Sequence, residues 1–268
     1  MAKLLVSIAV ALLLATALGS TAADSPEKTT KPRTFLMVVA HPDDENIIGG
    51  VLARLAREGH TVRLIIATDG KYSPLATSIP EGDELGAARR KESQCAAEAL
   101  GIPPPIFLSI DRLDTKNGVR SYLNGRKKFL ELLSHQISTL QPDVLLTFGP
   151  DGEYGHPEHI VVSAGLTELL LRDGLVDKYP LYYIAWQREQ VLDDDSLSFV
   201  DHRYLGTVAH FSDEDEKKSF EAAKCYVTQF THDEIDELIE GASKAENTVQ
   251  FRRFRADEFP PGDPREEL

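Results

Sequence analysis

Short apolar, β-branched runs alternate with helix-patterned stretches along this chain, and that alternation constrains the fold more than any other feature. The run at 34–40 is apolar throughout, as a strand buried on both faces requires. Further strands are predicted at 61–68, 106–110, 143–149, 181–186 and 204–211. Between them, apolar residues recur at helical spacing over 45–59, where Ile47, Ile48, Val51, Leu52 and Leu55 share one face. Helices are likewise predicted at 84–100, 122–140, 159–171 and 213–246. The pattern predicts an α/β fold: a Rossmann-like, mostly parallel sheet with helices on both faces. In such sheets ligands bind beyond the carboxyl ends of the strands, so chemistry is expected just after strands.

The ends of the chain are set apart by composition. Lys3 precedes an apolar run from Leu4 to Leu18, and small residues follow at 19–23. That is the layout of a secretory signal peptide over 1–23. The run falls short of the ~20 residues that span a bilayer, so an uncleaved membrane anchor is the alternative and the sole route to membrane association. Residues 24–33 read as a linker, 34–254 as a single domain and 255–268 as a disordered tail. The expected location is therefore secreted or extracytoplasmic. A net charge of −14 argues against nucleic acid as a partner. Cys95 and Cys225 fall in separate predicted helices, far apart in sequence, and both a bridge and two separate thiols remain open.

Two blocks carry the chemistry, each directly after a strand. The first is Ala40-His41-Pro42-Asp43-Asp44-Glu45, an imidazole and three carboxylates at the end of an apolar run. Such a cluster is costly to bury without a cation, and histidine nitrogen and carboxylate oxygen are both good zinc ligands. The bland alternative is a solvated turn that caps a helix. The second block runs from Gly149 to His159 and holds Tyr154, His156 and His159 among three glycines that permit close backbone approach. His41, Asp44 and His159 make a three-ligand zinc set with a position left for water. Asp43 is then an acceptor beside that water, and His156 is a second imidazole near the reacting centre. Asp69, which closes the second strand, is either a turn former or a substrate contact. Arg89 can pair with Glu92 one turn on. Trp186, Tyr182 and Tyr183 are expected in the core.

With these blocks in place, the chain resembles the LmbE-like, PIG-L-type family of zinc-dependent N-deacetylases. The resemblance rests on the blocks at 40–45 and 155–159, the helix–strand segment 49–70, the Arg89/Glu92 helix at 85–101 and the stretch Lys224–Gln229. Thr228 stands where the family usually has Ser, and Glu158 where it more often has Asp; the latter is not expected to be a ligand. The resemblance implies zinc-dependent removal of an N-acetyl group from an amino-sugar or glycoconjugate substrate of the N-acetylglucosamine type. It implies Asp43 as general base, His156 as oxyanion support or proton donor, Tyr154 on the carbonyl and Arg89 on the substrate. The competing readings are a carbohydrate-binding protein on an inactive scaffold and another metal-dependent hydrolase. A nucleotide-binding Rossmann reading is weaker than these, because the first strand leads into His-Pro-Asp-Asp and not into a glycine fingerprint.

Overall fold

The computed structural model describes residues 31–187 and 197–256. The leader expected over 1–23, the linker up to residue 30 and the tail beyond residue 256 lie outside the described residues. Among the described residues, no helix is long and apolar enough to cross a membrane.

The expected α/β architecture is present. Strands β1 (Thr34–Val39), β2 (Thr61–Ile66), β3 (Ile106–Phe107), β4 (Val144–Thr147) and β5 (Leu181–Ala185) pair in parallel. Strands β6 (Thr207–His210) and β7 (Thr248–Arg253) extend the sheet with antiparallel pairing, giving the order β3-β2-β1-β4-β5-β7-β6. The helices are α1 (Gly49–Arg57), α2 (Asp83–Leu100), α3 (Val119–Leu140), the single turn α4 (Gly152–Gly155), α5 (Pro157–Arg172), α6 (Asp213–Ala223) and α7 (His232–Ala242).

Strand β1 shows why its sequence is apolar at every position. Successive side chains point to opposite faces of the sheet. Met37 and Val39 pack with Val51 and Leu55 of α1, Ala96 of α2 and Ala222 of α6. Leu36 and Val38 pack on the other face with Phe129 and Leu133 of α3 and Val162 and Leu166 of α5. The sheet is thus cored on both sides, as a parallel sheet must be.

From β1 the chain proceeds to β2 and β3 in one direction, whereas β4 and β5 lie on the other side of β1. The strand order therefore reverses between β1 and β4, and a crevice opens beyond their carboxyl ends. The two chemical blocks, at 40–45 and 149–159, are the loops that follow these two strands.

Three elements differ from the sequence expectation. The strand predicted at 106–110 stops at Phe107, because Ser109 takes a left-handed backbone (φ 54°). Leu108 and Ile110 still donate their N–H groups to Ile66 and Ala67 of the neighbouring chain segment. The helix predicted over 213–246 is two helices. Tyr226 is buried at the break, and Thr231 opens α7 with a capping box to Glu234. Strand β7 was not foreseen; its short alternation becomes a strand only because β5 and β6 flank it. The cysteine question resolves as a bridge: Cys95 of α2 is joined to Cys225, in the turn after α6, with Cα atoms 5.9 Å apart.

Candidate active site and metal centre

Asp43 sits in the turn between β1 and a short 3₁₀ segment, Asp44–Ile48, with left-handed backbone angles (φ 91°, ψ −22°). That conformation costs a non-glycine residue about 1–3 kcal/mol and is tolerated where surroundings over-determine it. Arg89 supplies those surroundings. Its buried guanidinium donates to Asp43 Oδ2 at 2.9 Å, to the Pro42 carbonyl at 2.8 Å and to the Gly70 carbonyl at 3.3 Å. Gly70 turns at φ 66°, and a Cβ there would lie 2.6 Å from Arg89 Nη1, so only glycine admits this arginine. Burial pushes the Asp43 carboxyl up to about 8, with Arg89 opposing and Asp44 reinforcing the rise.

Asp44 faces the other way. Its Oδ2 accepts the N–H groups of Ala40 at 3.0 Å and His41 at 2.7 Å, while Oδ1 lies 3.3 Å from His159 Nε2. Burial acts against its charge, but the His159 and His41 imidazoles outweigh it and hold the carboxyl well below the usual range.

His41 Nε2 is 2.6 Å from Glu158 Oε2, and the second Glu158 oxygen accepts the Leu113 N–H. With Nε2 committed to Glu158, Nδ1 is the nitrogen left facing Asp44, at 3.6 Å. Burial would lower the His41 pKa, but Asp44 and Glu158 overcome it and raise it to about 10. Surroundings that hold a proton so firmly suit a cation, and a divalent ion would displace that proton.

His159 makes the same point by its geometry. It is buried and stacks on Phe148 with ring centroids 3.9 Å apart, and neither ring nitrogen has a hydrogen-bond partner. A buried imidazole whose two nitrogens face only the carboxylates of Asp44, at 3.3 Å, and Glu153, at 3.7 Å, fits a metal ligand. Ligand atoms of His41, His156 and His159 all lie within 4.8 Å of one another, the metal-capable cluster among the described residues. His156 thus stands inside the group in which the sequence reading placed Asp44, and Asp44 touches two of its members. His156 caps α5, accepting the Glu158 N–H at 3.3 Å on Nδ1. Burial and the neighbouring His41 and His159 lower its pKa to about 4, so it is neutral near pH 7.

Tyr154, half exposed, lies over the cluster with its ring centroid 5.7 Å from His156 and 5.5 Å from His159. Burial and Asp44 lift its hydroxyl to about 12, so it remains a proton donor. These groups line a cleft of about 760 Å³. Asp69 is not among the lining residues; it pairs with Arg90 at 3.1 Å and packs against Gly86 at the foot of α2. The Arg89–Glu92 pairing is also absent. Glu92 instead accepts both the N–H and the hydroxyl of Thr228 at 2.8 Å, so threonine provides the same hydroxyl that serine would. Tyr183 is buried and Tyr182 packs against the core, but Trp186 lines the cleft.

Three residues escaped the sequence reading. Glu158 was discounted, although its place between two histidines put it within reach of the centre. Glu153 takes φ 70° and brings its carboxylate 3.7 Å from His159 Nδ1; burial raises it to about 8. Tyr226, within the stretch Lys224–Gln229, donates its hydroxyl to the wholly buried Glu45 of the first block, a pairing across distant parts of the chain that neither motif signals.

Comparison with known proteins places these features. The family profile described as "PIG-L: GlcNAc-PI de-N-acetylase" matches residues 36–170, which include both chemical blocks. A 1D-myo-inositol 2-acetamido-2-deoxy-alpha-D-glucopyranoside deacetylase 2 of Catenulispora acidiphila is 36% identical over 150 residues, 49% of this chain and 49% of that one. The chain thus spans about half the length of the curated relatives it matches. Among solved structures, the N,N'-diacetylchitobiose deacetylase from Pyrococcus horikoshii superposes with a TM-score of 0.60 at 20% identity, over 83% of this chain and 84% of that one. A 4-carboxy-2-hydroxymuconate hydratase from Pseudomonas putida does so equally, at 0.60 and 17% over 85% and 98%. Such a likeness establishes the fold alone, and the reaction must be argued from the site.

Proposed function

The chain belongs to the PIG-L (GlcNAc-PI de-N-acetylase) family, and from that premise we propose that it is a zinc-dependent hydrolase that removes the acetyl group from an N-acetylglucosamine-type substrate. The observation that carries the reading is Asp43: a carboxyl with a pKa near 8, held by Arg89 at the rim of the histidine cluster. A binding protein has no use for such a group, whereas a general base works best with a pKa near the operating pH.

His41 and His159, with Asp44 or His156, would hold the ion. Zinc, when bound, supplies Lewis-acid polarisation of a water and of the amide carbonyl. Asp43 takes the proton of the water whose oxygen attacks the acetamide carbon. Tyr154 is positioned to donate to the carbonyl oxygen as charge develops there. The C–N bond then breaks, and the proton held on Asp43 passes to the departing nitrogen, leaving acetate and an amine. Neutral His156, whose Nδ1 accepts the Glu158 N–H, carries its proton on Nε2 and can donate it in a hydrogen bond to the developing oxyanion or the substrate. Relatives named for an acetamido-glucopyranoside support the amino-sugar substrate. We place the reaction outside the cytoplasm on the leader-like residues 1–23, a reading that the Cys95–Cys225 bridge supports.

The test is acetate release from N-acetylglucosamine and its short β-linked oligomers. Wild type and Asp43→Ala are compared, each loaded with zinc. Metal-dependent release that falls about 10²–10⁴-fold in the variant, with zinc still bound, is the expected result. Equal rates in the two proteins would remove Asp43 from the mechanism.

A further inference from the structure

The cleft has two unlike walls. One is polar, built from Asp111, Arg112, Asp114 and Lys116, with Arg112 paired with Asp114 and Lys71 with Asp111. The other wall comes from α6, α7 and the turn between them, where Phe220, Phe230, Ile235 and Leu238 line the cavity. Ile235, Leu238, Ile239 and Ala242 recur at helical spacing on one stripe of α7. Such a stripe normally covers a core. Here Ile235 is buried, but Leu238 is 54% exposed. Leu75 (69% exposed) and Tyr154 (50%) bring two more large apolar surfaces to the same cleft from separate loops. Exposed apolar residues are unremarkable singly, but gathered around one opening they mark a binding surface.

This surface continues past Asn46 and Trp186, which line both the cleft and an adjoining groove of about 980 Å³. Glu216, Glu234, Glu237 and Glu246 line that groove, and no lysine or arginine does so among the described residues. An anionic group passing along it would meet only like charge.

We infer that the apolar wall of α6–α7 binds a neutral, apolar aglycone attached to the amino sugar, so that the substrate is an uncharged amphiphilic glycoside rather than a phosphate-linked one. The inference rests on the deacetylase reading for the sugar end only. The wall itself belongs to α6, α7 and their connecting turn, outside the residues 36–170 that the family profile covers.

Binding and turnover are measured separately on the zinc-loaded full chain. The ligands are methyl, butyl and octyl 2-acetamido-2-deoxy-β-D-glucopyranosides, below their micelle concentrations, and an octyl phosphodiester of the same sugar. Calorimetry is expected to show Kd falling about two- to fourfold per methylene until the wall is covered, with the phosphodiester weaker than the octyl glycoside. The octyl compound should displace the methyl compound. Leu238→Asn lies on an exposed helix face and should flatten the octyl-to-methyl ratio. A Kd independent of chain length, binding without displacement, or binding only as micelles would overturn the inference. Tighter binding of the phosphodiester would do the same. Acetate release from the same series reports on the deacetylase reading independently. Chain-length-dependent binding without release would leave the wall standing and remove the reaction.

Discussion

Glu158 shows how much a single carboxylate can govern at this centre. It lines the cleft, fixes His41 at 2.6 Å and is itself held by the Leu113 N–H. Without it, the His41 ring is free to rotate and to exchange tautomers. Glu158→Gln should therefore weaken zinc binding by about 10–100-fold, the usual cost of losing such a partner, measured by competition with a chromophoric chelator. Unaltered zinc affinity would mean that Asp44 and backbone contacts suffice to orient His41. Asp43 illustrates the same economy: a left-handed turn, an arginine on α2 and a glycine that admits the arginine must coincide before its carboxyl has the right place and pKa.

At the scale of elements, helix termini and their partners locate the two C-terminal helices. Arg57 at the end of α1 donates to both oxygens of Asp215, at 2.9 Å each, and Asp215 also caps α6 through Ser212. The Arg57 hydrogen bond is the largest influence on Asp215 and, with Ser212, holds its carboxyl below the usual range. A depressed carboxyl contributes stability that is present above its unfolded pKa of ~3.9 and is lost as pH falls below that value. Asp215→Asn should thus cost about 1–3 kcal/mol near neutrality, with the difference from wild type shrinking below pH ~4 in denaturant titrations. A constant difference across pH would show that capping rather than charge is responsible. The pair matters for the site because α6 and the turn after it carry Phe220, Tyr226, Thr228 and Phe230 to the cleft and its buried supports.

On the scale of the whole molecule, the Cys95–Cys225 bridge closes a separation of 130 residues and ties that turn to α2. Closing so long a loop removes much freedom from the unfolded chain, up to ~4–5 kcal/mol on the chain-entropy account. Reduction, or Cys95→Ser with Cys225→Ser, is expected to lower the denaturation midpoint accordingly, and a change below ~1 kcal/mol would show that packing alone holds the turn. The alternation of strands and helices, the α/β class and the two blocks at 40–45 and 149–159 were legible from the residues alone. Period and local motif are short-range properties, and each of those blocks is continuous in the chain. The break at Tyr226, the strand β7, the bridge, the Glu158–His41 contact across 117 positions and the apolar wall opposite Asp111 were not legible. Each depends on which distant segment arrives alongside, and packing settles that. Sequence determined which chemistry this chain could hold. Tertiary structure decided which carboxylate serves which histidine, because a side chain's partner is chosen by the space it is folded into rather than by its neighbours in the chain.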